Sequence, residues 1–219
     1  SAGNLTSAVY RIFGKPFSEE GKKLFGVPFA QFLKLNSEFR YHYRIDKNQM
    51  IASRIAGGVI WSYGNATTAP YTEQFYIGGA NSVRAFSARS IGPGGYPPET
   101  DRKYTYINHV GDIRIEANIE YRFRMIADLH GAVFLDAGNV WLMRKDENRP
   151  NGEFTLKNFP KQIALGTGFG LRYDLDFLVF RLDLGIGLHD PYDTGKSGYY
   201  NIPKFKDSMA LHFAIGYPF

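Results

Sequence analysis

The residue in this sequence with the most particular surroundings is Arg84, in the tetrad Val83-Arg84-Ala85-Phe86. An arginine offers a planar fork of donors that fits a carboxylate at two points. The sequence holds acids that such a fork can meet: Glu116 and Glu120 alternate with Arg114, Arg122 and Arg124, and Asp136 follows in a similar run. The chemistry these residue types support is ion pairing rather than turnover. The acids are too many, and too evenly interleaved with arginine, for a general acid–base pair. His42, His130, His189 and His212 stand singly, without metal-ligand spacing. There is no cysteine, hence no disulfide framework and no thiolate metal site. Gly78-Gly79 and Gly92-Pro93-Gly94-Gly95 lack the Lys-Ser/Thr and the following helix of a phosphate loop. Asn65-Ala66-Thr67 matches a glycosylation sequon by chance. No catalytic residue, cofactor or metal is expected.

The elements that must position Arg84 are strands. In 31–45, Leu33, Leu35, Phe39, Tyr41, Tyr43 and Ile45 point one way and Lys34, Asn36, Glu38, Arg40, His42 and Arg44 the other. That is strict period two. The same alternation marks 50–63, 111–126, 129–143, 164–173, 177–189 and 209–219, and less regularly 4–13, giving eight predicted strands. By this alternation Glu116, Glu120 and Asp136 share the polar face, and Val133, Leu135 and Trp141 the apolar one. A soluble sandwich also alternates. Here the polar faces carry charges of both signs, and the fifteen residues of 31–45 span roughly 50 Å, far beyond an ordinary strand.

The connections alternate in length. Residues 14–30, 65–110, 144–163 and 190–208 are long; 46–49, 127–128 and 174–176 are tight turns. Long loops at one end and short turns at the other are the pattern of an outer-membrane barrel, with the turns on the periplasmic side. Aromatics near strand ends (Tyr41, Tyr43, Trp61, Tyr63, Tyr121, Trp141, Tyr173, Tyr217) fit interfacial girdles. Composition agrees: 16% aromatic, with 24 glycines. Mean hydropathy is −0.29 and no apolar run reaches the length of a spanning helix, but alternating strands hide their hydrophobicity in the average. The net charge of +5 does not argue for nucleic acid, because the cations are spread through the strands. Ser1-Ala2-Gly3-Asn4 does not open a signal peptide, so the chain reads as a processed or shortened piece. Residues 1–219 are expected to form a single all-β domain, an antiparallel up-and-down transmembrane barrel. Short helices are expected over 17–25, capped by Ser18, and over 156–163.

The stretch 65–110 is long, non-periodic and aromatic, which marks it as functional rather than a linker. Two readings of Arg84 stand on the residues alone. It is a solvated loop charge, with Asp136 paired locally to Arg122 or Arg124, or it pins the loop inside a polar lumen.

The motifs resemble those of the outer-membrane assembly and two-partner secretion superfamily (BamA/TamA-like, bacterial surface antigen type). Gly78-Gly79-Ala80-Asn81-Ser82-Val83-Arg84-Ala85-Phe86 is similar to its Val-Arg-Gly-Phe/Tyr loop. Phe134-Leu135-Asp136-Ala137-Gly138 is similar to its Phe-x-Asp-x-Gly strand, and Gly168-Phe169-Gly170-Leu171-Arg172 to the strand that follows. Phe213, Ile215, Tyr217 and the final Phe219 are similar to its C-terminal assembly signal. The resemblance runs from about 31 to 219. It implies that these strands are the last eight of a sixteen-strand barrel, and that Arg84 pairs with Asp136 on the inner wall, with Glu116 and Glu120 close by. Ala85 stands where the family has Gly, a cost if that position needs positive φ. Pro218 removes a donor beside the seam.

The resemblance also implies a function: the barrel portion of a non-enzymatic protein insertase or translocase of the bacterial outer membrane. The bilayer is then its first partner. In a full-length protein, unfolded outer-membrane proteins and periplasmic or lipoprotein accessory subunits follow. A passive pore or a two-partner secretion transporter is the alternative; a membrane anchor for a passenger enzyme is the second. An eight-stranded barrel is filled by its own side chains, so the 46 residues of 65–110 do not fit inside one. The expectation is a small self-closed barrel, with 4–13 paired to 209–219 and the loop outside or capping the mouth. A barrel closed by two chains is the alternative.

Overall fold

The structure, a computed structural model, describes residues 8, 11–12, 23–24, 27–98, 109–175 and 177–219. A two-stranded ladder, β1 (Lys23–Leu24) with β2 (Val27–Pro28), precedes the main sheet. That sheet has seven strands: β3 (Gln31–Arg44), β4 (Gln49–Tyr63), β5 (Ile113–Ile126), β6 (Leu129–Trp141), β7 (Ala164–Asp174), β8 (Val179–His189) and β9 (Met209–Ile215). Each pairs antiparallel with the next in sequence order.

Burial is inverted relative to a soluble sheet. Leu33, Leu35, Phe39, Ile55, Leu211 and Phe213 are each at least 60% exposed, while Glu116, Glu120, Asp136, Arg172, Arg181 and Asp183 are at most 1% exposed. Period two sends apolar side chains outward and charges inward. Such a surface suits lipid, and in lipid only internally paired backbone is tolerated.

Residues 65–98 and 109–112 fold back onto the inner face rather than lying outside it. Ile77, Val83 and Ile91 of the loop pack against Ile60, Val140 and Ala164 of the wall. Phe75 and Gly111 exchange backbone hydrogen bonds of 2.9 Å and close the loop at its base.

Several expectations are corrected. Among the described residues the main sheet has seven of the eight expected strands, and no ladder joins its outer strands β3 and β9. Seven antiparallel strands leave the two outer ones running parallel, so these seven alone do not close as an up-and-down barrel. Of 4–13, the described residues Ala8, Arg11 and Ile12 are helical rather than extended; the rest lies outside the described residues. Most of the helix expected over 17–25 also lies outside them, and its end, Lys23–Leu24, is a strand. Over 156–163 the structure makes one 3-10 turn, Phe159–Gln162. Trp141 is no girdle residue. It is fully buried beside Phe154 and Phe159, and its Nε1 donates to Gln162 Oε1 at 2.9 Å. β9 ends at Ile215 because Gly216 turns the backbone to φ 84°. Pro218 therefore lies beyond the ladder and removes no bond from it.

Candidate functional site

Arg84 sits at the centre of the concave face, with no exposed surface. Its backbone N–H donates to Asp136 Oδ2 at 3.0 Å, its Nε to the same oxygen at 2.8 Å, and its Nη2 to Oδ1 at 2.9 Å. Its Nη1 donates to Glu120 Oε2. The guanidinium carbon lies 3.5 Å from the centroid of the Phe134 ring, stacked on its face. Phe134 and Asp136 are two apart on β6, so period two places ring and carboxylate side by side under the same fork. Asn118 completes the cradle: its Nδ2 donates to Asp136 Oδ1 at 2.8 Å and to the Ser82 carbonyl at 3.0 Å. The readings of Arg84 as a solvated charge, and of Asp136 as a partner of Arg122 or Arg124, are overturned. Arg122 Nε donates to Glu120 at 2.6 Å, and Arg124 Nε to the Ala127 carbonyl at 2.8 Å.

Glu120 is a hub. It binds Arg84, Arg122 and, at 3.0 Å, Arg172 Nη2. Asp183 continues the network, 2.7 Å from Arg172 Nη1 and 3.3 Å from Arg181 Nε. Arg181 Nη2 donates back to the loop, to Asn81 Oδ1 at 2.6 Å. Glu116 does not join Arg84; it pairs with Arg54 of β4. The Arg84 carbonyl accepts from His212 Nε2 of β9 at 2.9 Å. Arg84 Nη1 also lies 3.9 Å from Asp183 Oδ2, so contacts of this one residue reach β5, β6, β8 and β9, and the network around it adds β7. Alternation put Arg172, Arg181, Asp183 and His212 on the inner face, and Arg172 closed a quoted motif, but nothing in the sequence marked the four as members of one network. Phe134 belongs to a motif, but its stacking role carried no signal beyond that.

Glycines on β7 and β8 make room for the loop. A Cβ at Gly185 would stand 2.6 Å from the Arg84 carbonyl carbon and 2.7 Å from Ala85 Cα. Ala85 is not among the positive-φ residues, so it carries no strain of the kind expected for a Gly replacement.

The four C-terminal signal residues do not share one environment. Phe213 and Ile215 are exposed on the outer face, Tyr217 is partly exposed, and Phe219 is buried. Beyond Gly216 the tail turns inward. The Phe219 ring lies 5.9 Å from the Arg84 guanidinium carbon and 5.6 Å from that of Arg122, and Arg122 Nη2 donates to its carbonyl at 3.2 Å.

The sequence matches the Omp85 superfamily domain over residues 24–219. It is 28% identical over 204 residues to the outer membrane protein assembly factor BamA of Nitratidesulfovibrio vulgaris, an alignment covering 91% of this chain and 22% of that protein. It is 29% identical over 89 residues to the BamA of Neisseria meningitidis serogroup B, covering 38% of this chain and 11% of that protein. The chain thus spans about a fifth of the length of the first relative, 22%. Among solved structures, the crystal structure of BamA from Haemophilus ducreyi lacking POTRA domains 1–3 superposes with a TM-score of 0.58 at 16% identity. It covers 85% of this chain and 35% of that one, a likeness of fold.

Proposed function

Because the chain belongs to the Omp85 superfamily and is therefore an outer-membrane protein, we propose that it forms barrel wall of an outer-membrane protein insertase or translocase. Its work in this reading is mechanical, not catalytic. The observation that carries the proposal is Arg84, on an inward-folded loop, held by Asp136 and Glu120. A loop fixed in that way rigidifies the inner wall behind the terminal strand. The short strand β9, outermost in the main sheet among the described residues, then offers exposed apolar side chains and a backbone edge to an incoming strand, the logic of strand addition. Unfolded outer-membrane proteins are the substrates in this reading, and accessory subunits act at the periplasmic turns. Loop side chains buried against the wall disfavour a passive open pore.

The test is replacement of the wild-type protein by an Arg84→Ala form in its own host. Folded outer-membrane proteins, scored by heat-modifiable migration, are expected to fall in amount. Unchanged assembly together with steady single-channel conductance would instead identify a pore.

A further inference from the structure

Basic residues stand opposite one another across the inner face. In register, Arg124 of β5 opposes His130 of β6, His130 opposes Arg172 of β7, and Arg172 opposes Arg181 of β8. Directly opposed like charges destabilise a sheet. Arg172 and Arg181 are answered by Glu120 and Asp183. Among the described residues, Arg44 and Arg124 make no ion pair. Arg124 uses only its Nε, on the Ala127 carbonyl.

These side chains surround a cavity of about 200 Å³ beside the turns after β3 and β5, lined by Arg44, Arg122, Arg124, His130 and Arg172. The one acid in its lining, Asp46, has Oδ1 engaged by the Asn48 N–H at 2.7 Å. Arg172 is fully buried in the cavity wall, and its Nε has no hydrogen-bond partner among the described residues.

We propose that this cavity binds a phosphate-class oxyanion at the short-turn rim, between the guanidinium groups of Arg44, Arg122 and Arg124 and against the buried Arg172. Arginine forks match phosphate oxygens in pairs; Arg122 and Arg172 are held in place by Glu120, and Arg44 and Arg124, which make no ion pair among the described residues, supply the uncompensated positive charge. Free phosphate and a phospholipid headgroup share this chemistry. By the turn pattern the rim lies at the periplasmic boundary of the membrane, the level of phospholipid headgroups.

The experiment is calorimetric titration of the protein, in uncharged detergent at fixed ionic strength, with inorganic phosphate. Saturable binding is expected, weakened at least about tenfold in the double variant Arg44→Gln, Arg124→Gln. Both side chains are exposed and outside the Arg84 network, so the fold is retained; heat-modifiable migration checks this. A second arm measures phospholipid retained from native membranes, by phosphorus analysis. A fall in the double variant assigns the site to a headgroup, and unchanged retention with lost phosphate binding assigns it to free phosphate. Equal phosphate affinity in both forms, or binding that never saturates, would overturn the site. So would tight binding of a tri-aspartate peptide by protein that ignores phosphate, which would make the rim a docking point for acidic polypeptide.

Discussion

Arg84 directs three hydrogen bonds at one carboxylate and a fourth at another, all without exposed surface. One of the three comes from the backbone N–H; the two-point side-chain contact needs a guanidinium, because a lysine ammonium supplies a point charge without the fork. A buried ion pair adds little net stability over an apolar replacement, but removing one partner strands the other and is costly. Arg84→Ala leaves buried Asp136 without a cation, while Glu120 keeps Arg122 and Arg172. Loop docking should weaken by about 3–5 kcal/mol, while the ladder, which does not use Arg84, persists. Limited proteolysis in detergent reads this directly: cleavage within 65–98 should accelerate, and the sheet should keep its heat-modifiable migration. Equal cleavage rates would remove Arg84 as the fastener. Arg84→Lys keeps the charge and loses the two-point contact, so its loop should be cut at an intermediate rate, for a cost of about 1.5–3 kcal/mol.

At the scale of elements, the loop is fitted as well as fastened. Gly185 lies under the Arg84 and Ala85 backbone, with no room for a side chain. Gly185→Val should therefore lift the loop without touching any charge, and loop cleavage should approach that of Arg84→Ala. If Gly185→Val leaves cleavage unchanged, the strand glycines are not there to admit the loop. The strands themselves were legible because period two survives over 31–45, 50–63 and 111–126, where lipid faces one side and charge the other. What failed had another cause each time. Trp141 obeys the alternation in sequence, yet Phe154 and Phe159 of the next loop cover it, a tertiary contact invisible to period. Residues 209–219 alternate to the last, yet a positive φ at Gly216 ends β9 four residues early. Of the candidate site, Glu116, Glu120 and Asp136 were legible as inward-facing from alternation, and the pairing of Asp136 with Arg84 only through a motif. The diversion of Glu116 to Arg54 depends on cross-strand register, which sequence pattern does not specify.

The whole molecule turns on an odd number. The seven strands of the main sheet among the described residues leave β3 and β9 running the same way, with no ladder between them. An up-and-down membrane barrel closes antiparallel on itself, so closing this one takes an odd number of further strands between the edges; two copies joined head to tail would meet in parallel at both seams. The inner side of β3 shows the same want of a neighbour, for its charged residues Glu38, Arg40 and Arg44 are all exposed. The absence of cysteine makes this testable without background. Ser37 on β3 and Ala210 on β9 are introduced as cysteines, Ser37→Cys with Ala210→Cys. A disulfide needs Cα atoms within about 7 Å, which neighbouring strands provide and opposite edges of an open sheet do not. Under oxidation the pair should stay reduced within a chain, whereas Ser53→Cys with Ile119→Cys, directly opposed on β4 and β5, should cross-link. An intrachain bond between 37 and 210 at the rate of that control would mean that the edges meet, and the sheet would then be a small closed barrel with the loop squeezed out of its interior.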